Sequence, residues 1–319
     1  MSTHIPKIRV RMRKTGAVVP EKSGEKGEQK VLLPQGFRID KSRLVYYNTI
    51  SVNVCVIMRE SVAKKMISTL LFDLGGTLHT VKRTPESRRH FCSHLLSVLS
   101  EHGIFLDITP EALDAMLAVN GEEYKHLGER TLVELPQSVI WSQYYLKELH
   151  IPEERLAPFA EELSFLYDHE RVINTPRPHL KETMEALRAM GIHLGIVSNI
   201  ISTTLVPYVL KQYGILDLME CIVMSSNVGI RKPDPRIFDV AMQELGVTAV
   251  ETGYVDDTIS RDVLGARNAH LGLCVRIENP AIAHRDTAFQ GPDAPKADFV
   301  IREIDELVPL LAGINGQRL

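Results

Sequence analysis

Apolar residues are arranged in two different patterns along this chain. From Ser68 to Phe72 the run STLLF is a short continuous apolar stretch ending in Asp73-Leu74-Gly75-Gly76, which predicts a buried strand followed by a tight turn. For about a hundred residues after it, apolar positions recur at helical spacing: Phe91, Leu95 and Leu99, more loosely Leu113, Leu117 and Tyr124, then Trp141, Tyr145 and Leu149. Thr84-Pro85 and Thr109-Pro110 each place a capping hydroxyl ahead of a proline whose missing N–H is no loss in a first helical turn. This stretch predicts a helical bundle of about four helices. Beyond Arg177 the pattern becomes an alternation. A helix from His179 to Met190 stops at Gly191 and leads into a strand from His193 to Val197. A helix near Leu205 to Tyr213, a strand around Cys221 to Met224, a helix from Pro235 to Leu245 and a strand from Thr252 to Val255 follow. The series ends with a helix from Arg261 to Ala269, strands over Leu273 to Ile277 and Phe299 to Ile301, and a helix from Ile304 to Leu311.

Strands alternating with helices imply right-handed crossovers and a parallel sheet covered on both faces, an α/β class. Ligands on such sheets bind outside the carboxyl ends of the strands. A content of 44% hydrophobic residues over 319 positions is enough for a sizeable core. The longest apolar run, Thr49 to Met58, falls far short of the ~20 residues of a membrane span, so no membrane partner is expected. Cys55, Cys92, Cys221 and Cys274 lie far apart with no CxxC, which points to a reducing, cytoplasmic setting rather than to disulfides or zinc.

Charge divides the chain. Residues 1–65 hold fourteen Lys/Arg against five Asp/Glu, so the remainder is acidic, the formal net charge being −3. A basic arm can serve nucleic acid, but charge runs are usually solvated surface, and no nucleic-acid partner is expected. The segment lacks the apolar core of a secretory signal, and its early Glu21, Glu25 and Glu28 do not suit a transit peptide. Thr15 to Lys30 has no apolar periodicity; residues 1–65 are read as a disordered extension, with a compact body beginning at Met66. Oligomeric state leaves no mark in the sequence.

Four polar signals fall at predicted strand ends: Asp73, Ser198-Asn199, Lys232 in the loop from Asn227 to Pro235, and Asp256-Asp257. Any one of them alone is an ordinary cap or turn residue. Together they form a set suited to moving a phosphoryl group. Asp73 can attack phosphorus and split one hard displacement into two. A carboxylate approaching a phosphate dianion is repelled, so cations are required. Asp73 with Asp256 or Asp257 offers hard oxygen ligands for Mg²⁺, Lys232 a point charge, and Ser198 a hydrogen bond to developing charge.

The runs LLFDLGGTL from Leu70, IVSN from Ile196, GIRKPDPRIF from Gly229 and YVDDTISRDVLGA from Tyr254 occur in the order and spacing of the four motifs of the haloacid dehalogenase superfamily, which the chain resembles over about residues 66–311. The resemblance implies a Rossmann-like core, residues 66–80 and 176–319, with an inserted helical cap, 81–175, that selects the substrate. It also implies a Mg²⁺-dependent hydrolase forming an aspartyl-phosphate on a small phosphorylated metabolite. In that scheme Asp73 is nucleophile and metal ligand, and the Gly75 carbonyl, Asp257 and Asp256 are further metal ligands. Ser198, Asn199, Lys232 and Gly76 bind phosphate, Lys232 being catalytic as well, and Thr77 and Asp262 are supports. Two departures stand out. Most phosphatases of the family carry a second, acid–base aspartate where this chain has Gly75, and glycine is commoner where it has Asp256. The first leaves open a phosphonate hydrolase, a dehalogenase or a weakened binding protein of the same fold. His79 is a candidate substitute acid. Lys82, Lys125 and Lys147 are weaker candidates for Schiff-base chemistry, and the i, i+4 pair His90 and His94 lacks further metal ligands.

Overall fold

A computed structural model describes residues 66–289 and 291–316; the basic segment expected over residues 1–65 lies outside them. Six strands form a parallel sheet: β1 (Thr69–Phe72), β4 (His193–Ser198), β5 (Cys221–Met224), β6 (Thr252–Asp256), β7 (Leu273–Ile277) and β8 (Phe299–Ile301), in spatial order β5-β4-β1-β6-β7-β8. β1 lies between β4 and β6 and is buried at every position, which is why it reads as a continuous apolar run rather than an alternating one. The order reverses direction on either side of β1, so the crevice for a ligand opens at its carboxyl end.

The helices that interrupt the sheet strands are α1 (Pro85–Glu101), α2 (Pro110–Thr131), the single turns α3 (Gln137–Ile140) and α4 (Glu153–Leu156), and α5 (Ala160–His169). Thr84 and Thr109 cap α1 and α2 as expected, their hydroxyls accepting from the N–H of Ser87 and Ala112 at 3.1 and 3.2 Å. These helices enclose a core of their own around Phe91, Leu95, Leu117, Trp141 and Leu163, and the one buried indole N–H is satisfied by Ser164 at 3.0 Å. In the sheet domain follow α6 (Leu180–Ala189), α7 (Leu205–Gln212), α8 (Ser225–Val228), α9 (Arg236–Leu245), α10 (Leu264–Asn268) and α11 (Leu307–Asn315). One face of the sheet packs against α6, α7 and α11 through residues such as Met184, Val206 and Leu311, and the other against α9 and α10 through Phe238 and Ala266.

One element has no counterpart in the hydrophobic pattern. β2 (His79–Lys82) and β3 (Ile173–Pro176) pair antiparallel, with Val81 opposite Asn174 and Lys82 opposite Ile173, and the helical insert leaves and re-enters through this ribbon. The boundaries expected at 80/81 and 175/176 fall within it. The helix expected from Arg261 instead begins as a π-helical turn over Ile259–Val263 before α10, a local irregularity of the kind found at functional sites.

Candidate active site

Asp73 leaves the carboxyl end of β1 with its N–H donating to the Val255 carbonyl at 3.1 Å, which fixes its backbone against β6. Its Oδ1 accepts from the Ser198 hydroxyl at the end of β4 (3.1 Å) and from Lys232 Nζ (2.8 Å). Lys232 is 2% exposed, and a buried ammonium demands compensation. It has that from Asp262 Oδ1 at 2.6 Å, the Tyr254 hydroxyl at 2.6 Å and the Val197 carbonyl at 3.0 Å, in addition to Asp73. Against the upward push of its burial, Arg261 and Lys232 hold Asp262 below the ordinary carboxylate range. Asp262 therefore positions the lysine.

Asp257 follows β6. Its Oδ2 accepts from the Asn279 amide at 2.7 Å, while its Oδ1 is buried with no partner among the described residues. Burial first, then the like charges of Asp73 and Asp262, push its pKa up to about 7. One oxygen from each of Asp73, Asp257 and Asp262 lies within 4.8 Å of the others. A dense acidic cluster with an orphaned inner oxygen suits a hard divalent cation, and because both oxygens of Asp262 are engaged, by Lys232 on one side and by Arg261 and Thr258 on the other, the carboxylates that fit it best are Asp73 and Asp257.

Three expected roles are revised by the geometry. Asp256, the last residue of β6, stands on the same side of the strand as Tyr254; its Oδ2 accepts from the Cys274 thiol at 3.7 Å, and it is outside the cluster. Gly76 makes no phosphate contact available through its N–H, which donates to the His79 carbonyl at 2.8 Å within the turn. Its own requirement is steric: at φ +89° a Cβ there would sit 1.8 Å from Asp257 Oδ2. Asn199 uses both ends of its amide on the backbone of Lys232, at 2.9 and 3.0 Å, and so holds the lysine loop. Thr77 is buried beneath the turn, its carbonyl accepting from Arg177 Nε at 2.8 Å.

Two arginines enter the site without having been expected there. Arg177 also donates to the Gly76 carbonyl at 2.8 Å, locking the turn from below. Arg261 brings Nη2 to 3.4 Å from Asp73 Oδ2 and 2.9 Å from Asp262 Oδ2; the only hint in the sequence was its place directly before Asp262. His79, weighed as a substitute acid, is buried and lines the cavity. Its Nε2 lies 3.9 Å from where a Cβ on Gly75 would be, and Tyr213 Oη is 3.0 Å from its Nδ1. Burial pulls its pKa down to about 4 against the opposite pull of Asp73, so the imidazole is neutral at pH 7. The lysines are elsewhere: Lys125 pairs with Glu122 at 2.9 Å, Lys147 with Glu123, and Lys82 is exposed on the ribbon. His94 pairs with Glu170 at 2.8 Å on the surface, and His90 stands 3.9 Å from the same glutamate.

The cavity in front of Asp73 has a volume of about 240 Å³ and is lined from the insert side by Arg83, Tyr167, Asp168, Arg171 and Val172. Residues 67–270 match the model of the haloacid dehalogenase-like hydrolase family, a span covering more than half of the chain. The chain belongs to that family. Among members of the haloacid dehalogenase-like group, the glyceraldehyde 3-phosphate phosphatase of Methanopyrus kandleri is 28% identical over 66% of this chain and 84% of its own length. The phosphoglycolate phosphatase of Agrobacterium fabrum is 25% identical over 76% of this chain and 91% of its own. Among solved structures, a HAD phosphatase from Thermococcus onnurineus is 26% identical and superposes with a TM-score of 0.50 over 79% of this chain and all of its own. The 2-haloacid dehalogenase of Pseudomonas syringae shares the fold with a TM-score of 0.54 at 22% identity, over 78% and 99% of the two chains. The parallel sheet expected from the sequence is thus that of a haloacid dehalogenase-like hydrolase. Among the described residues no helix is long and apolar enough to cross a membrane.

Proposed function

We propose that this hydrolase is a Mg²⁺-dependent phosphatase of a small phosphorylated metabolite, working through an aspartyl-phosphate at Asp73. The observation that carries this reading is the contact of Lys232 Nζ with Asp73 Oδ1 at 2.8 Å, in a buried site beside Asp257 and its orphaned oxygen. A cavity of about 240 Å³ is smaller than the ~300–1,000 Å³ of sites for drug-sized ligands, which suits a metabolite. The Asp73 carboxylate attacks phosphorus; the P–O bond to the leaving group breaks, its electron pair going to the departing oxygen. Ser198 and Lys232 hold the phosphoryl oxygens as charge redistributes. Asp73, Asp257 and the Gly75 carbonyl would hold Mg²⁺, which when bound would neutralise charge on the phosphate.

Gly75 offers no proton to the leaving oxygen, and His79 is the side chain that reaches its place. In the tautomer in which Nδ1 accepts from the Tyr213 hydroxyl 3.0 Å away, the neutral ring carries its proton on Nε2, the nitrogen nearest Gly75. A neutral imidazole is a weak acid but a competent hydrogen-bond donor, so the first step retains a strong dependence on leaving-group pKa. The test is a series of aryl and alkyl phosphates with trapping of the phosphoenzyme. Aryl phosphates should react far faster, with a steeper dependence in His79→Ala; absence of turnover and of phosphoenzyme on every ester would overturn the phosphatase reading.

A further inference from the structure

The ribbon that joins the insert to the sheet domain also forms a wall of the cavity. Side chains alternate along a strand, and His79 and Val81 line the cavity from β2, with Arg83 just beyond its end, while Asn174 lines it from β3 and Val172 from just before that strand. The ribbon therefore leads from the reacting end, at His79, to an outer end flanked by Arg83 and Arg171 of the insert. Arg83, Arg171 and the reacting end at Asp73 line one cavity of about 240 Å³, a space that fits a single small molecule with a short carbon chain.

Arg171 is built for a ligand rather than for a neighbour. Its guanidinium lies 4.7 Å from the centre of the Tyr167 ring and donates to the Tyr167 hydroxyl, which fixes its plane. No carboxylate pairs with it among the described residues, and its Nε is buried without a hydrogen-bond partner. The Asn174 amide oxygen in the same wall is likewise buried and unpartnered. The nearby cavity acid, Asp168, turns its Oδ2 to the N–H groups of Ile201 and Ser202 at 3.1 and 2.9 Å. An oriented guanidinium fork with an unmet donor matches the geometry of a carboxylate or phosphate.

Resting on the phosphatase reading, we propose that the substrate carries a second anionic group, a carboxylate or a second phosphate, a few carbon atoms from the scissile one, and that Arg171, assisted by Arg83, holds it. Calorimetric binding to the full chain with Mg²⁺ tests this without turnover. The probes are ethylphosphonate, 3-phosphonopropionate and propane-1,3-bisphosphonate, which carry a neutral, a carboxylate and a second phosphonate tail. Both acidic probes should bind at least ~10-fold more tightly than the neutral one, as a charge-assisted hydrogen bond implies. The stronger of the two identifies which anion is read. Arg171→Gln should bring the ratio of acidic to neutral affinity close to one, Arg171→Lys should restore part of it, and Arg83→Gln should lower it less. Thermal midpoints of the variants separate misfolding from loss of the subsite, with Arg83→Gln available if Arg171→Gln unfolds. Equal affinity for all three probes in the wild type, or a ratio untouched by the arginine variants, overturns the proposal. An intact preference in a protein that hydrolyses no phosphate ester would sink the phosphatase reading alone.

Discussion

Gly75 and Gly76 are neighbours with opposite tolerances. A Cβ on Gly75 would meet only Val81 Cγ2 at 3.8 Å and His79 Nε2 at 3.9 Å, ordinary contacts, and the residue is not in the left-handed region. Gly75→Asp should therefore fold and return an acid–base group to the leaving oxygen, raising alkyl-phosphate turnover by up to ~10²-fold while changing aryl-phosphate turnover much less. Steady-state rates on matched esters check this; a uniform fall would mean that the carboxylate displaces His79 without reaching the substrate. Gly76→Ala has no such room, with a left-handed cost of ~1–2 kcal/mol and a clash with Asp257 Oδ2. It should raise the Mg²⁺ concentration for half-maximal activity sharply, as Asp257→Asn should, whereas Asp256→Asn should leave the metal titration close to wild type. A metal response confined to Asp256→Asn would reverse the assignment made from the cluster.

Between elements, the loop after β4 is held by two carboxylates of α5. Glu161 accepts from the N–H of Thr203 and Thr204 at 2.8 and 3.0 Å and from the Ser202 and Thr204 hydroxyls at 2.7 and 2.6 Å, while Asp168 takes the N–H groups of Ile201 and Ser202. This ties the insert to the loop that follows Ser198. Burial raises Asp168 to about 7 from an ordinary value of 3.8. A raised folded-state pKa means that its ionisation opposes folding. Its favourable contribution is complete below about pH 4 and is lost as pH rises to 7, flattening beyond. Thermal midpoints of wild type and Asp168→Asn should diverge in favour of the variant across that window; parallel curves would show that Asp168 ionises freely. None of this was visible in the chain, because nothing in the sequence separates Glu161 and Asp168 from acidic residues on the exposed face of a helix. β1 was legible because burial on both faces leaves a continuous apolar run, and β4 and β6 because short apolar stretches sit between helical segments, and with them came the strand-end residues Asp73, Ser198 and Asp257. The ribbon was not, since four-residue strands with exposed positions such as Lys82 and Ile173 carry no period, and their pairing joins positions about ninety residues apart. Arg83 and Arg171 depend on that pairing, so their convergence on the cavity with His79, which its spacing from Asp73 did suggest, was hidden with it.

At the scale of the molecule, the described body closes on itself at its two ends. The N–H of Ile67, a residue 1% exposed, donates to the Asn315 side-chain oxygen at 2.9 Å, and the Asn315 amide donates back to the Ile67 carbonyl at 2.8 Å, so the entry to β1 is pinned to α11. Ile67 also joins the same hydrophobic cluster as Leu307 and Leu311. The family match begins at residue 67, and the Thermococcus phosphatase is covered over its full length by 79% of this chain. Everything placed in the site, from Asp73 to Asn279, lies inside that closed body. A chain beginning at Met66 is therefore expected to keep the thermal midpoint of the full chain, its Mg²⁺ requirement and its turnover of any substrate found, within experimental error. Calorimetric melting and parallel kinetics of the two chains measure this. A midpoint lowered by several degrees would assign residues 1–65 a part in stability, since ~1 kcal/mol moves the midpoint of a domain of this size by ~2–4 °C. An unchanged midpoint with altered KM would instead place them in substrate access. Asn315→Ala offers an internal comparison: it removes both bonds of the pin and leaves the Ile67 N–H and carbonyl unpaired, at a cost of ~1–3 kcal/mol for each buried group left unsatisfied. If closure at Ile67 is what completes the body, that single change should lower the midpoint more than deletion of the whole leading segment.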